Sequence, residues 1–316
     1  MEIIIFSDAH YHTNPSKSYI TKDGQSYWLT RQIQVTEEIF DYARRNNIET
    51  VLHNGDLFEE KNNINTKIYN TVWDLYKSYY DEGFKIIFNT GNHDKLTKLD
   101  SSLKPFSQIV KVVYEPTDIG NMRIIPNSMI DNNLRSNADI LFIHEDIAGL
   151  IYGANQYKSG SKYKPAIFGD WDIVFDGDIH KPQELGNIVV IGSPMIQDWG
   201  EHDDIKRFVH FKDGKVISVP IESGPKFFVR DELNDTVREE VEKDQENYYR
   251  INISSAELSD SIFKKFNVSP FISKTKKREV RLKQKSNEIP LKEYIKLKKP
   301  ELDINRLLEV GKEIVA

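Results

Sequence analysis

The 316-residue chain contains no cysteine. Disulfides and thiolate metal ligands are therefore excluded, and nothing points to an oxidising compartment. It also lacks any apolar run approaching the ~18–20 residues that span a bilayer. No basic flank precedes the short apolar stretch from Met1 to Ser7, which leads straight into polar residues. That stretch reads as a buried strand and not as a signal peptide. A cytoplasmic protein with no membrane segment is the expectation. Internal repeats and low-complexity tracts are missing as well. What is present is an ordinary globular composition over 316 residues, long enough for a main domain and a smaller one. Any metal must be held by imidazole, carboxylate and amide oxygen.

An excess of positive charge is the next thing lacking. Lys plus Arg less Asp plus Glu is 43 − 49 = −6, which taken alone argues against a polyanionic partner. The distribution argues otherwise. From Lys274 to Lys299 eleven bases face three acids, a local balance of +8, whereas Asp231 to Glu246 holds eight acids and two bases. A phosphate backbone responds to the local field. Both runs also fit solvated faces.

The first half alternates strand and helix patterns. Strands are expected at Glu2 to Phe6, Glu49 to His53 and Phe84 to Phe88, and helices at Gln34 to Arg45 and Ile68 to Asp81. Further strands are expected over 110–114, 122–125, 140–144, 173–176, 188–192, 208–212 and 215–220. Helical patterns become scarce after residue 130. The fold class is therefore α/β, a β-sandwich flanked by helices over 1–222, with chemistry at strand ends. After a break near Glu222 to Pro225, a small α+β module is expected over 223–288, with strands at 248–253 and 278–283 and a helix at 259–266. Residues 289–316 read as a basic, amphipathic helical tail. Its stripe carries Ile304, Leu307, Leu308, Gly311, Ile314 and Val315.

Five clusters follow apolar β-runs: Asp8-Ala9-His10, Gly55-Asp56, Gly91-Asn92-His93-Asp94, His144, and Asp178-Ile179-His180. Each alone also fits a turn, a cap or a hydrogen-bonded structural residue. Together they are a set of hard and borderline ligands that a parallel sheet would gather on one edge. Two divalent cations ~3.5–4 Å apart need a shared anionic ligand, for which a carboxylate such as Asp56 is suited. Imidazole and carboxamide fill the remaining positions without excess negative charge, so a phosphate can still bind.

This ordered set resembles the calcineurin-like metallophosphoesterase superfamily over roughly residues 1–200. His53-Asn54-Gly55-Asp56-Leu57-Phe58 and the segment from Gly192 to Glu201 narrow the resemblance to SbcD-type DNA repair exonucleases. The resemblance implies that Asp8, His10 and His180 hold one metal, Asp56 bridges, and Asn92, His144 and Asp178 hold the other. His93 would be the acid or transition-state stabiliser, oriented by Asp94. It implies two divalent cations, manganese by preference and magnesium as an option. It also implies a 3′→5′ exonuclease on duplex ends and an endonuclease on single strands. The module over 223–288 would be a DNA-capping domain, with Lys274, Lys276, Lys277, Arg278 and Arg281 as candidate DNA contacts. The tail over 289–316 would dock on an SbcC-type ABC ATPase, and a homodimer is also open.

One position departs from the family, which has Gly-His-x-His where this chain has Gly177-Asp178-Ile179-His180. Asp178 either ligates the second metal or is a turn residue beside a looser site. Two other functions stay open: a phosphomonoesterase or cyclic-nucleotide phosphodiesterase, and a DNA-bridging subunit with a weakened site. His12, His53, His202 and His210 are read as loop or packing residues. Tyr19, Tyr27 and Trp28, in a long insertion, fit either stacking on bases or packing on the domain. The chain is shorter than cellular family members. Its composition, rich in Asn, Lys, Ile and Tyr, suits an AT-rich genome and a phage origin.

Overall fold

The computed structural model describes residues 1–272 except 15, 17, 23, 98, 99 and 154–156. The basic segment with Lys274, Lys276, Lys277, Arg278 and Arg281, the strand expected over 278–283 and the tail lie outside the described residues.

The first half follows the expected alternation: β1 (Glu2–Phe6), α1 (Tyr27–Arg45), β2 (Thr50–Asn54), α2 (Thr66–Asp81), β3 (Lys85–Asn89) and β4 (Lys111–Val113). Then come β5 (Thr117–Ile119), β6 (Met122–Ile124), β7 (Ile140–His144), β8 (Ile151–Tyr152), β9 (Tyr157–Lys158), β10 (Ile173–Gly177), β11 (Gln183–Leu185) and β12 (Ile188–Val190). The chain goes on through β13 (Arg207–Lys212), β14 (Lys215–Pro220), β15 (Phe227–Arg230), α3 (Asp235–Lys243), β16 (Tyr248–Asn252) and β17 (Val268–Phe271).

Two six-stranded sheets result, in the orders β14-β13-β1-β2-β3-β4 and β11-β12-β10-β7-β6-β5. β1, β2 and β3 are parallel neighbours, as are β7, β10 and β12. Their sequences explain the layering. Successive strand residues face opposite ways, so a strand covered on both faces is apolar throughout. Ile3 and Ile5 of β1 meet Phe142 and Phe175 of the other sheet, while Ile4 and Phe6 join the core beneath α1 and α2. The outer face of the second sheet, including Leu141, Ile143 and Val174, is covered by Phe168, Trp171 and Tyr163 from connecting segments. This is the expected α/β sandwich.

α1 starts seven residues before the predicted Gln34, because Ser26 caps it by accepting from the Leu29 N–H. The predicted helix over 259–266 is instead two short 3₁₀ turns, Ser255–Ser259 and Ser261–Lys264. Asp260 separates them in an extended conformation, its carboxylate capping the Ile262 N–H. β15, β16 and β17 form a third, parallel sheet with α3 and a small core around Val241, Tyr249 and Ile251. Phe227 and Tyr248 from that sheet belong to the main core with Trp28. No helix among the described residues is long and apolar enough to cross a membrane.

Candidate metal centre

The C-terminal ends of β1, β2 and β3 in one sheet and of β7 and β10 in the other open onto the same edge. Asn54 joins the sheets there, donating to the Ile143 carbonyl at 2.7 Å. The Asp178 N–H donates to Asp8 Oδ1 at 3.1 Å, joining the loops that follow β1 and β10. Four of the seven expected ligands sit in the left-handed region: Asp8 at φ 57°, His10 at 46°, Asp56 at 58° and Asp178 at 73°. Such backbone costs ~1–3 kcal/mol per residue and persists where surroundings over-determine it. Gly55, at φ 102°, has no such strain, and a Cβ there would overlap the His144 ring. A Cβ at Gly91 would likewise overlap the Asp56 carboxylate.

All seven side chains are brought together. Asp56 Oδ2 lies 3.6 Å from His10 Nε2 and 3.3 Å from His144 Nε2, placing it between the two imidazoles. Asp8 Oδ1 is similarly placed, 3.9 Å from His10 and 3.8 Å from His144. His180 Nε2 is 3.2 Å from His10 Nε2, and Asn92 and Asp178 lie on the His144 side, at 3.1 and 3.9 Å from its Nε2. Three groups, Asp8/His10/His180, His10/Asp56/His93 and Asp8/Asp56/His144, each bring ligand atoms within 4.8 Å of one another.

The imidazoles are anchored from behind. His144 Nδ1 meets the Asn54 carbonyl at 2.7 Å and His93 Nδ1 the Glu59 carbonyl at 2.6 Å. A carbonyl only accepts, so these Nδ1 atoms carry the proton and leave Nε2 for the site. His180 Nδ1 is 2.8 Å from Glu201, and His10 Nδ1 is 2.8 Å from Glu59. Oxygen partners on the far nitrogen fix ring orientation and raise ligand basicity.

Electrostatics point the same way. Burial by itself would lower His10, but the Glu59 pair, then Asp56 and Asp8, raise it to about 9. His144 is also held well above the usual histidine range, Asp56 and Asp8 outweighing its burial. Asp56, which burial would raise, is lowered by His144 and His10. Asp178 is raised by burial, with Asp8 and Asp56 adding to the effect and His144 opposing it. The buried carboxylates thus draw positive charge onto the imidazoles. Asp8 Oδ2 is buried without a hydrogen-bond partner among the described residues. That orphaned oxygen, the convergent Nε2 atoms and the oxygen-and-imidazole donor set fit divalent cations. A cavity of about 420 Å³ opens beside Asp178 and His180, lined also by Tyr152, Tyr157 and Lys181.

Asp94 does not orient His93. Its Oδ2 accepts from the Asp56 and Gly91 N–H groups at 2.8 and 2.9 Å, and its Oδ1 from Leu57 at 3.0 Å. It splices the β2 and β3 loops, and the Glu59 carbonyl orients His93 in its place. Burial, then Asp56, raise the Asp94 carboxyl to about 6, against the Gly91 and Leu57 bonds. Two carboxylates that back the candidate ligands have little signal in the sequence. Glu59 lies just past the segment from His53 to Phe58 and has no distinguishing spacing. Glu201 ends the Gly192 to Glu201 segment, and that position is its only signal. The segment folds back so that Glu201 meets His180, Lys206 at 2.7 Å, and the Gln197 N–H.

The aromatic residues of the insertion pack on the third sheet and its flank, and two of the other histidines sit in or against the core. Tyr19 and Tyr27 stack at 5.1 Å and meet Phe266 edge-on, while Trp28 packs on Phe227 and Tyr248. His53 is buried between Phe6 and Phe88. His210 bonds Glu2 at 2.9 Å and Tyr42 at 3.1 Å.

Comparison with known proteins bears on this geometry. A model of the calcineurin-like phosphoesterase family matches residues 1–219. Exonuclease subunit 1 of Enterobacteria phage T4 is 22% identical over 197 residues, covering 57% of this chain and 58% of that one. The chain therefore matches little more than half the length of that relative. Among solved structures, the nuclease MPE of Pseudomonas putida aligns at 13% identity and TM-score 0.33, covering 70% of this chain and 73% of its own. The phosphoesterase Yfce of E. coli aligns at 13% identity and TM-score 0.37, with 70% and 100% covered. With well over half of its length matched by the family model, this chain belongs to the calcineurin-like phosphoesterase family and is a metal-dependent phosphoesterase.

Proposed function

We propose that the chain is a manganese-dependent DNA nuclease with a two-metal site. It acts 3′→5′ on duplex ends and endonucleolytically on single strands, in recombination or repair with an SbcC-type ATPase. The observation that carries the two-metal reading is Asp56 Oδ2, set 3.6 and 3.3 Å from two imidazoles whose far nitrogens are anchored. Similarity to a phage exonuclease subunit supports DNA as substrate.

Asp8, His10 and His180 would hold one cation, Asn92, His144 and Asp178 would hold the other, and Asp56 would be shared between them. When bound, such a pair supplies Lewis acidity and lowers the pKa of a water. His93, its Nδ1 fixed by the Glu59 carbonyl, presents the other nitrogen to protonate the leaving oxygen. Asp94 keeps the Asp56 and Gly91 turns in register from beneath. Lys274, Lys276, Lys277, Arg278 and Arg281 contact the DNA backbone, and the tail docks on the ATPase.

The test is nucleotide release from duplex DNA with manganese or magnesium, with and without the ATPase. Release that is lost on Asp56→Asn, while the circular dichroism spectrum is kept, is the expected result. Hydrolysis confined to small phosphomonoesters or cyclic nucleotides would overturn the nuclease reading. DNA binding without cleavage under every metal would favour a bridging subunit whose site Asp178 has weakened.

A further inference from the structure

The two poles of the metal centre differ in their donors. On the His10 side, two imidazole Nε2 atoms lie 3.2 Å apart with Asp8 and Asp56 beside them. On the His144 side there is a single imidazole. Its neighbours are all oxygen donors: Asp56 at 3.3 Å, Asp8 at 3.8 Å, Asp178 at 3.9 Å and the Asn92 amide at 3.1 Å. Turned about, the Asn92 amide satisfies its surroundings better, its nitrogen donating to Asp56 Oδ2 at 3.0 Å and Asp178 Oδ1 at 3.2 Å; with a cation at this pole the amide oxygen would face it instead. The first pole balances two nitrogen donors against two carboxylates, whereas the second is oxygen-rich. Asp178 decides this difference, since an imidazole there would make the two poles match.

Donor type sorts cations. Imidazole suits zinc, iron and copper, whereas carboxylate and amide oxygen suit magnesium, calcium and manganese. The fixed ring orientations sharpen the distinction, because His10 and His180 are both backed by carboxylates, Glu59 and Glu201. His144 is backed only by the Asn54 carbonyl.

We infer that the centre is selective pole by pole: the His10/His180 pole takes a borderline cation such as zinc, and the His144/Asp178 pole takes a hard cation such as manganese or magnesium. Asp178 sets the selectivity of the second pole. The inference rests on the two-metal reading above, but concerns which ion each pole prefers and not the substrate.

The experiment uses the full metal-free chain. It receives one equivalent of zinc, then manganese, and is dialysed; bound metals are counted by elemental analysis and manganese is observed by electron paramagnetic resonance. The expected wild-type result is one zinc and one manganese per chain, with the spectrum of isolated manganese. Manganese alone should give the spectrum of a spin-coupled pair. Asp178→His should retain two zinc ions after excess zinc and dialysis, where the wild type keeps one. Asp178→Asn, which is nearly isosteric, should keep the zinc and lose manganese. Glu201→Gln should weaken zinc about 10–100-fold, the usual effect of removing a partner behind a ligating histidine, without altering the manganese spectrum. Two zinc ions retained by the wild type, or an unchanged metal count in Asp178→His, would defeat the selectivity. Failure to retain any ion would defeat the two-metal reading along with it. A protein that sorts zinc from manganese yet cleaves no DNA would defeat only the nuclease reading.

Discussion

His180 owes its position to a buried ion pair as much as to its own loop. Glu201 lies 2.8 Å from its Nδ1 and 2.7 Å from Lys206, and both Glu201 and Lys206 are buried. Breaking a buried pair from one side leaves the other charge uncompensated, at about 3–5 kcal/mol. Glu201→Gln should therefore lower stability in chemical denaturation by about 3 kcal/mol or less, because Asp204 stays 3.6 Å from Lys206. The pH dependence has a definite sign. Burial would raise the Glu201 carboxyl, yet Lys206 and His180 hold it well below its ordinary value. A depressed folded pKa means the stabilisation is complete above the unfolded value of about 4.3 and is lost as pH falls below it. Melting curves of the metal-free wild type should thus fall more steeply below pH 4 than those of Glu201→Gln; parallel curves would contradict the pairing. His93 is a different case. If it donates a proton, His93→Gln should cut kcat by about 10²–10⁴-fold and leave metal content unchanged. Loss of a metal instead would place His93 among the ligands, as its grouping with His10 and Asp56 also allows.

At the scale of elements, legibility followed burial. β1, β2, β3, β7 and β10 are covered on both faces, so each reads as an apolar run that stops abruptly at Asp, Asn, Gly or His. Five clusters of candidate ligands are legible that way. Strands of two or three residues, such as β8 and β9, carry too few side chains to show a period. Glu201 was equally unreadable, since its contact with His180 closes a 21-residue excursion that no local pattern encodes. Asp94 differs from its expected place for a related reason: its acceptors are filled by backbone N–H groups, and sequence does not show where those point. The start of α1 was hidden too, because its first turns bury against the third sheet and not along the stripe visible from Val35. Trp28, fully buried between Phe227 and Tyr248, is the joint. Trp28→Ala should cost about 3–5 kcal/mol by cavity formation, measured by urea unfolding. DNA affinity should hold at temperatures where the variant stays folded. A selective loss of DNA binding with stability intact would revive base stacking for this insertion.

On the scale of the whole molecule, charge is what remains to be reconciled with the proposed nucleic-acid substrate. The chain is acidic overall, at −6, and the acids of the metal centre add to local repulsion of phosphate until cations are bound. On the proposed nuclease reading a duplex would have to be drawn to the protein elsewhere, and the run from Lys274 to Lys299, at +8, is a segment whose charge suits that role. Each phosphate neutralised by Lys or Arg releases counterions, so the slope of log K against log salt changes by about 0.9 per contact on B-form DNA. Replacing Lys274, Lys276, Lys277, Arg278 and Arg281 together by Gln should weaken duplex binding at every sequence. It should also flatten the salt slope by up to about 4.5 if all five engage phosphates. Manganese content and hydrolysis of a small phosphodiester should be unaffected, because neither depends on the polyanion. Fluorescence anisotropy between 50 and 200 mM salt would measure the slope. If it stays as steep in the five-fold variant as in the wild type, the basic run is a solvated face, and the electrostatic attraction must come from the domain that carries the metals.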